Sequence, residues 1–316
     1  MIDLHLHLDG SLSEAVVQKL AQRQKISLPE GSLQSYLSVS PGCRDLNEYL
    51  RCFDLPVSLL QTGESLALAV RDLVLRLHEQ NLCYAEIRFA PQLHTRRGLS
   101  QAEAVEAAVS GLMASPFPVQ LILCCMRGDG NRRANEETVR AAADFLGKGV
   151  CGLDLAGAEG LYPTAAYEAP FALAREAGIP FTIHAGEAAG PDSIRCALDF
   201  GASRIGHGVR LREDPRLLAQ IREQRIALEM CPTSNLQTRA AVSLEDYPLL
   251  DYLSGQLMVT VNTDNMTVSG TTLAREYALV GLSPEQILQV QRNAAQAAFL
   301  PPDAKKRLLD RLPRQP

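Results

Sequence analysis

Short apolar runs alternate with longer amphipathic stretches along the whole chain. The runs have strand length: "IDLHLHL" at roughly 2–8, "CYAEIRFA" at 83–90, "VQLILCCM" at 119–126, "VCGLDLA" at 150–156, "IPFTIHA" at 179–185, "SRIGHG" at 203–208, "RIALEMC" at 225–231 and "LMVTVNT" at 257–263. Helical patterns lie between them. In "ESLALAVRDLVLRLHEQN", Leu66, Val70, Leu73 and Leu77 recur at a spacing that stacks them on one helical face. "PDSIRCALDFG" starts with Pro191 and Asp192 and stops at Gly201, the expected punctuation of a helix. Eight strands each followed by helix predict an α/β fold with a parallel sheet, whose simplest closed form is a (β/α)8 TIM barrel. No repeat, low-complexity tract or linker breaks the 316 residues, so one domain over 1–316 is expected.

Two departures from a minimal barrel stand out. The connection over residues 9–82 is longer than one helix needs and contains "SPGCRDLNEYLRCFDLPVSLLQT", with Leu46, Tyr49, Leu50 and Phe53 on one helical face. Any one of these side chains could simply pack on the barrel. A long insertion after a barrel strand nevertheless lies at the mouth where barrels bind ligands, so a helical lid over a flat apolar ligand is expected. From about residue 283 the pattern predicts two extra C-terminal helices that cap the barrel or pack outside it.

Composition narrows the partners. With 46% hydrophobic and 21% charged residues and a net charge of −5, the chain has no basic excess to recruit nucleic acid or an anionic membrane. Met1 stands almost against the first strand, leaving no room for a signal peptide, and the longest apolar runs fall far short of a membrane span. The eight cysteines contain no CxxC, and the adjacent Cys124 and Cys125 would point to opposite faces of a strand. Reduced, buried thiols in a cytoplasmic protein are the expectation.

The chemistry is concentrated at the carboxyl ends of the predicted strands, where barrels build their active sites. Those ends read "HLHLDG", "IRFAP", "CMRGDG", "DLAGAE", "TIHAGE", "IGHG", "EMCPTSN" and "VNTDN". They hold four of the six histidines, His5, His7, His184 and His207, together with Asp9, Glu159, Glu187 and Asp264. Alternation places His5, His7 and Asp9 on one face of the first strand. A strand-end histidine can merely bond a carbonyl, but four of six at these ends strain that account. Neutral imidazole and carboxylate suit zinc, and a catalytic zinc keeps a position open for water whose pKa it lowers. His207 and Glu187, on different strands, could serve as separate base and acid. His78 and His94 fall on a helix and in a loop and are given no role.

Taken in order, "DLHLHLDGSL", "DLAGAE", "HAGE", "GHGVRL", "CPTSN" and "VNTDN" resemble the adenosine deaminase family of metal-dependent barrels, across nearly the whole chain. The resemblance implies that His5, His7, His184 and Asp264 hold one zinc per chain and its water, which Asp264 and His207 orient and deprotonate. It implies that Glu187 is a protonated acid donating to purine N1, that the Gly157 N–H meets N3, and that Asp9 binds the ribose 5′-hydroxyl. The implied substrate is a purine nucleoside, adenosine or 2′-deoxyadenosine. A lid bearing Tyr49 and Phe53 would keep the Glu187 site dry. Binuclear relatives commonly bridge two metals with a lysine ending the fourth strand; here Lys148 precedes that strand, so one metal is expected. Many members have two aspartates at the last strand, where this chain has Asp264-Asn265; an asparagine amide donates to N7 at any pH. Sister enzymes acting on adenine, on an N6-substituted adenine nucleotide or on another adenosine-like metabolite, and a non-catalytic purine-binding barrel, are the alternatives. "HLDG" favours a free 5′-hydroxyl, since adenine-specific relatives tend to have Glu where Asp9 stands. Arg88 and Arg127 are read either as structural or as phosphate ligands.

Overall fold

The computed structural model describes residues 1–313. Eight strands follow in chain order: β1 (Ile2–His7), β2 (Tyr84–Phe89), β3 (Val119–Met126), β4 (Val150–Ala156), β5 (Thr182–Ala185), β6 (Arg204–His207), β7 (Ala227–Met230) and β8 (Met258–Val261). Each pairs in parallel with the next within β1–β4 and within β5–β8. Bridges between Leu153 and Phe181 and between Leu6 and Asp264 join the two halves at both seams, closing the barrel.

The two faces of each strand decide the layers. Ile2, Leu4 and Leu6 point outward and are fully buried under helices. The helix Gly63–Glu79 brings Leu66, Val70, Leu73 and Leu77 to that layer, and its first turn is fixed by a capping box between Thr62 and Ser65. Full burial of such a leucine contributes about 1.5–3 kcal/mol. Inside the barrel the layers are charged. Arg204 pairs with Glu86 (2.6 Å) and Glu229 (2.6 Å), and Arg88 with Glu229 (2.9 Å) and Asp154 (3.0 Å), all essentially without solvent. Charges this deep persist only when paired and hydrogen-bonded. Arg88 is therefore structural. Arg127 is committed as well, donating to the carbonyls of Tyr162 and His184 and to the Thr164 hydroxyl.

Several expected boundaries move. The fifth strand starts at Thr182, because Pro180 has no N–H to give a ladder and Phe181 makes one isolated bridge. Alternation does not carry through to Asp9. Leu8 turns helical (φ −62°, ψ −53°) and Asp9–Ser11 forms a 3-10 turn. Of the two C-terminal helices, Pro284–Ala297 is part of the ring: its Gln291 accepts from the Ile2 N–H (2.7 Å) and its Asn293 donates to the Val259 carbonyl (2.8 Å), bridging β1 and β8. Pro302–Arg311 is the true addition, burying Leu308 with Ile2, Leu4 and Tyr84.

The insertion forms the short helix Leu46–Tyr49, a 3-10 turn Leu50–Phe53 and the helix Asp54–Leu59. It is tied over the barrel mouth by Val39 N–H to the Val268 carbonyl (2.9 Å) and by the Tyr49 and Ser269 hydroxyls (2.6 Å). Among the described residues no helix is long and apolar enough to cross a membrane.

Candidate active site and metal centre

Four ring and carboxylate groups converge where β1, β5 and β8 end. His7 Nε2 lies 3.3 Å from His184 Nε2 and 3.4 Å from Asp264 Oδ1, and His5 Nε2 lies 3.5 Å from the same oxygen. Zinc bonded tetrahedrally at about 2.0–2.1 Å sets its ligand atoms about 3.4 Å apart, so these separations suit a common ion. The donor set His5, His7, His184 and Asp264 fits a metal ion on two further observations. His5 Nε2 is buried with no partner. Carboxylates pin the opposite ring nitrogens: His5 Nδ1 lies 2.8 Å from Glu229 and His184 Nδ1 2.9 Å from Asp154. That arrangement holds the proton on Nδ1 and presents the Nε2 lone pair. Burial would raise the Asp154 pKa, but His184 and Arg88 beside it hold it well below the usual range. Burial, joined by the charges of His184, His5 and Arg88 and opposed by Asp264, pushes the His7 imidazole well below its ordinary value, the neutral state a ligand needs.

Backbone strain helps aim two of the groups. His207 (φ 65°) and Asp264 (φ 57°) both sit in the left-handed region, which costs a side-chain-bearing residue about 1–3 kcal/mol. Asp264 is locked there by the barrel seam, its carbonyl accepting from His7 N–H (2.7 Å) and its N–H donating to the His5 carbonyl (2.8 Å).

Above the tetrad opens a cavity of about 470 Å³. His7, Asp9, Gly157, His184, Glu187, His207, Asp264 and Asn265 line it, with Leu46, Tyr49, Leu50 and Phe53 of the lid as its apolar wall. Every residue given a site role in the sequence thus reaches this cavity except His5, which lies beneath it. Gly157 (φ 106°) lets bare backbone face the cavity where a side chain would be strained. Asp9 reaches it despite the break in the strand, and its Oδ1 is buried without a partner. Burial raises its carboxyl to about 6. Asn265 lies against Gly10, where a Cβ would come within 1.8 Å of Asn265 Oδ1, so the amide N–H₂ is the end turned elsewhere.

Glu187 is the acid here whose carboxyl is raised furthest. Burial, then the like charges of Asp264 and Glu159, push its carboxyl to about 8. Thr238 donates its hydroxyl to Glu187 Oε1 (3.0 Å), while Oε2 lies 3.6 Å from His207 Nε2. His207 Nδ1 sits 2.9 Å from Asn235 Nδ2, and Asn235 Oδ1 receives the Tyr247 hydroxyl (2.9 Å) and the Cys231 N–H (3.4 Å). That orientation makes the amide a donor to Nδ1, so the neutral His207 ring carries its proton on Nε2, facing the cavity.

Sequence reading named Glu159 without a role and missed Asp154, Glu229, Asn235 and Thr238. Glu159 accepts the N–H groups of Gly186, Glu187, Ala188 and Ala189 at 2.7–3.0 Å, holding the loop that carries Glu187. A signal was present: an acid in the middle of an apolar strand, as in "GLDLA" and "ALEM", is rarely buried without a partner. His94 is structural, its Nδ1 bonded to the Leu60 carbonyl (2.9 Å).

A family model described as adenosine deaminase matches residues 1–315. The chain is 53% identical to an adenosine deaminase of Haemophilus ducreyi, over 98% of this chain and 94% of that protein. Its structure is similar to that of an adenine deaminase from Arthrobacter aurescens, with a TM-score of 0.87 and 27% identity over 98% of this chain and 96% of that one. It is also similar to an N6-methyl-AMP deaminase from Arabidopsis thaliana, with a TM-score of 0.86 and 26% identity over 97% and 94% of the two chains.

Proposed function

The chain belongs to the adenosine deaminase family, and from that premise we propose that it hydrolyses adenosine and 2′-deoxyadenosine to inosine and 2′-deoxyinosine, releasing ammonia. The observation that carries this reading is the convergence of the His/Asp tetrad, a protonated Glu187 and His207 on one lid-covered cavity. The metal is one zinc per chain, held by His5, His7, His184 and Asp264. When bound, it supplies a Lewis acid that lowers the pKa of a water towards neutrality.

The residues do the rest. His207 donates from Nε2 to the oxygen of that water and so orients it, and the second oxygen of Asp264 receives its proton. Glu187 gives its proton to purine N1, which withdraws electrons from C6 as water adds there. The Gly157 N–H binds N3, the Asn265 amide donates to N7, and Asp9 accepts from the 5′-hydroxyl. Leu46, Tyr49, Leu50 and Phe53 cover the base and exclude water, which keeps Glu187 protonated. Asp264 then passes its proton to the C6 amino group, which leaves as ammonia, and the C6 hydroxyl proton returns to Glu187 as the carbonyl forms. The whole chain acts as one domain, and its eight unbridged cysteines fit a cytoplasmic setting.

Both structural neighbours named above act on relatives of this substrate. A 5′-phosphate placed at Asp9 would meet a buried carboxyl rather than a cation, which favours the nucleoside. The test is a substrate panel. Purified protein is mixed with adenosine, adenine or N6-methyl-AMP, and loss of the starting chromophore is followed. Turnover of adenosine well above the other two is expected; the reverse order would reassign the substrate, and no turnover of any would leave a purine-binding barrel.

A further inference from the structure

The helix Pro232–Gln237 and its C-terminal residue Thr238 follow β7 and carry no group assigned to the reaction, yet they touch both proton-handling side chains. Asn235 reaches His207, and Thr238, three residues on and so on the same face, reaches Glu187. The start of this helix is anchored from another element, because Glu276 accepts from the Thr233 N–H (2.9 Å). Thr238 is 6% exposed and its own N–H is spent on the Ser234 carbonyl (2.8 Å). Among the described residues its hydroxyl proton has one acceptor, Glu187 Oε1 at 3.0 Å.

A protonated carboxyl has two ways to hold its proton, and only one of them is useful to a base stacked in the cavity. With Oε1 occupied as an acceptor from Thr238, the acid proton is directed to Oε2, the oxygen on the His207 side. We propose that Thr238 is a positioning residue for the deamination: its hydroxyl fixes the proton of Glu187 on Oε2 and turns that O–H towards purine N1. This rests on the reading of Glu187 as proton donor to N1. No bond is made or broken by Thr238; it supplies a hydrogen bond that persists before and after the proton moves.

The groups facing Glu187 are His207 from β6, Asp264 after β8, Glu159 after β4, His5 from β1, Arg127 after β3 and Thr238. Of these, Thr238 first and His5 after it oppose burial by favouring the ionised carboxyl. Removal of Thr238 therefore has a pH signature in addition to a rate effect.

The experiment compares wild type, T238V, T238A, T238S and E187Q, each checked for one equivalent of metal and for a wild-type melting transition. T238V is expected to lower kcat about 10- to 100-fold with KM changed less than about threefold, the range of a misdirected acid. The alkaline limb of its kcat profile moves to higher pH, and T238S restores both kcat and the limb. Two competitive inhibitors separate the cause: T238V weakens purine riboside, which has N1, and leaves 1-deazaadenosine, which has C–H there, unchanged. If T238V does not fold, T238A carries the same comparison. Wild-type kcat with an unmoved limb, or a serine variant as poor as valine, overturns the proposal. Normal turnover by E187Q would instead overturn the role of Glu187 on which it rests.

Discussion

Replacing Glu187 by Gln should stabilise the protein while disabling it. The unfolded chain ionises this carboxyl near 4.5, whereas in the folded protein burial and the charges of Asp264 and Glu159 keep it protonated to about 8. The folded state therefore binds the extra proton between these values, and stability falls as pH rises through that window, levelling off above it. At about 1.4 kcal/mol per pH unit, the loss relative to the acid end is about 3 kcal/mol by pH 7 and about 4 kcal/mol by pH 8, approaching about 5 kcal/mol above it. Glutamine keeps the acceptor for Thr238 and removes the titration, so E187Q escapes the decline. About 3 kcal/mol is an upper bound at pH 7, because the amide brings two N–H groups where the acid had one O–H and the second needs a partner. The assay is urea unfolding of metal-free wild type and variant between about pH 5 and pH 8.5, with turnover of the metal-loaded forms measured alongside. The two stabilities should coincide at the acid end and diverge as pH rises, while kcat of the variant drops by roughly 10²–10⁴-fold. Parallel stability curves, or a variant less stable than wild type at pH 8, would refute a neutral buried acid at this position.

Metal analysis of protein purified without added metal should give one equivalent per chain, and C231A should retain it, since Cys231 is not among the four converging ligands; two equivalents would sink the mononuclear site. D9A should impair adenosine much more than 5′-deoxyadenosine, by the about 1.5–3 kcal/mol of a hydrogen bond to a charged group, measured as the ratio of kcat/KM values; equal losses would leave Asp9 as a turn residue. For Asn265, adenosine and 7-deazaadenosine against wild type and N265A form a double cycle in which removing either partner costs about 1–3 kcal/mol and removing both costs little more; additive losses would mean Asn265 does not meet N7. In wild type, kcat should fall as pH rises through the Glu187 titration, and a flat alkaline profile would argue against an acid in the rate-determining step.

The barrel was legible because its signals repeat. Eight apolar runs, each with helical spacing after it, leave few alternatives, and Leu66, Val70, Leu73 and Leu77 are buried as their spacing requires. The cluster at the strand ends was legible because chain direction alone puts all eight ends on one face. What escaped was whatever depends on a neighbour across the barrel. Asp154, Glu229 and Arg88 each look like an isolated flaw in an apolar strand, and only closure of the sheet shows that they pair with one another and with His5 and His184. Asp9 was reached by the wrong path, since alternation predicted its face while a 3-10 turn supplies it. The helix Pro284–Ala297 reads as an appendage in the sequence because nothing local marks it as the element that spans β8 and β1.

His5 and His7 are synthesised well before Asp264, which shares their seam and lies more than 250 residues later. At about 5–20 residues per second, the ribosome needs tens of seconds to deliver the missing carboxylate, and the strand that holds it cannot pair until it has left the exit tunnel. Through that interval the amino-terminal strand has one neighbour instead of two. Assembly of the His/Asp tetrad is thus a late event in the life of each molecule, and a truncated product ending before β8 lacks both Asp264 and the hydrogen bonds that tie it to His5 and His7.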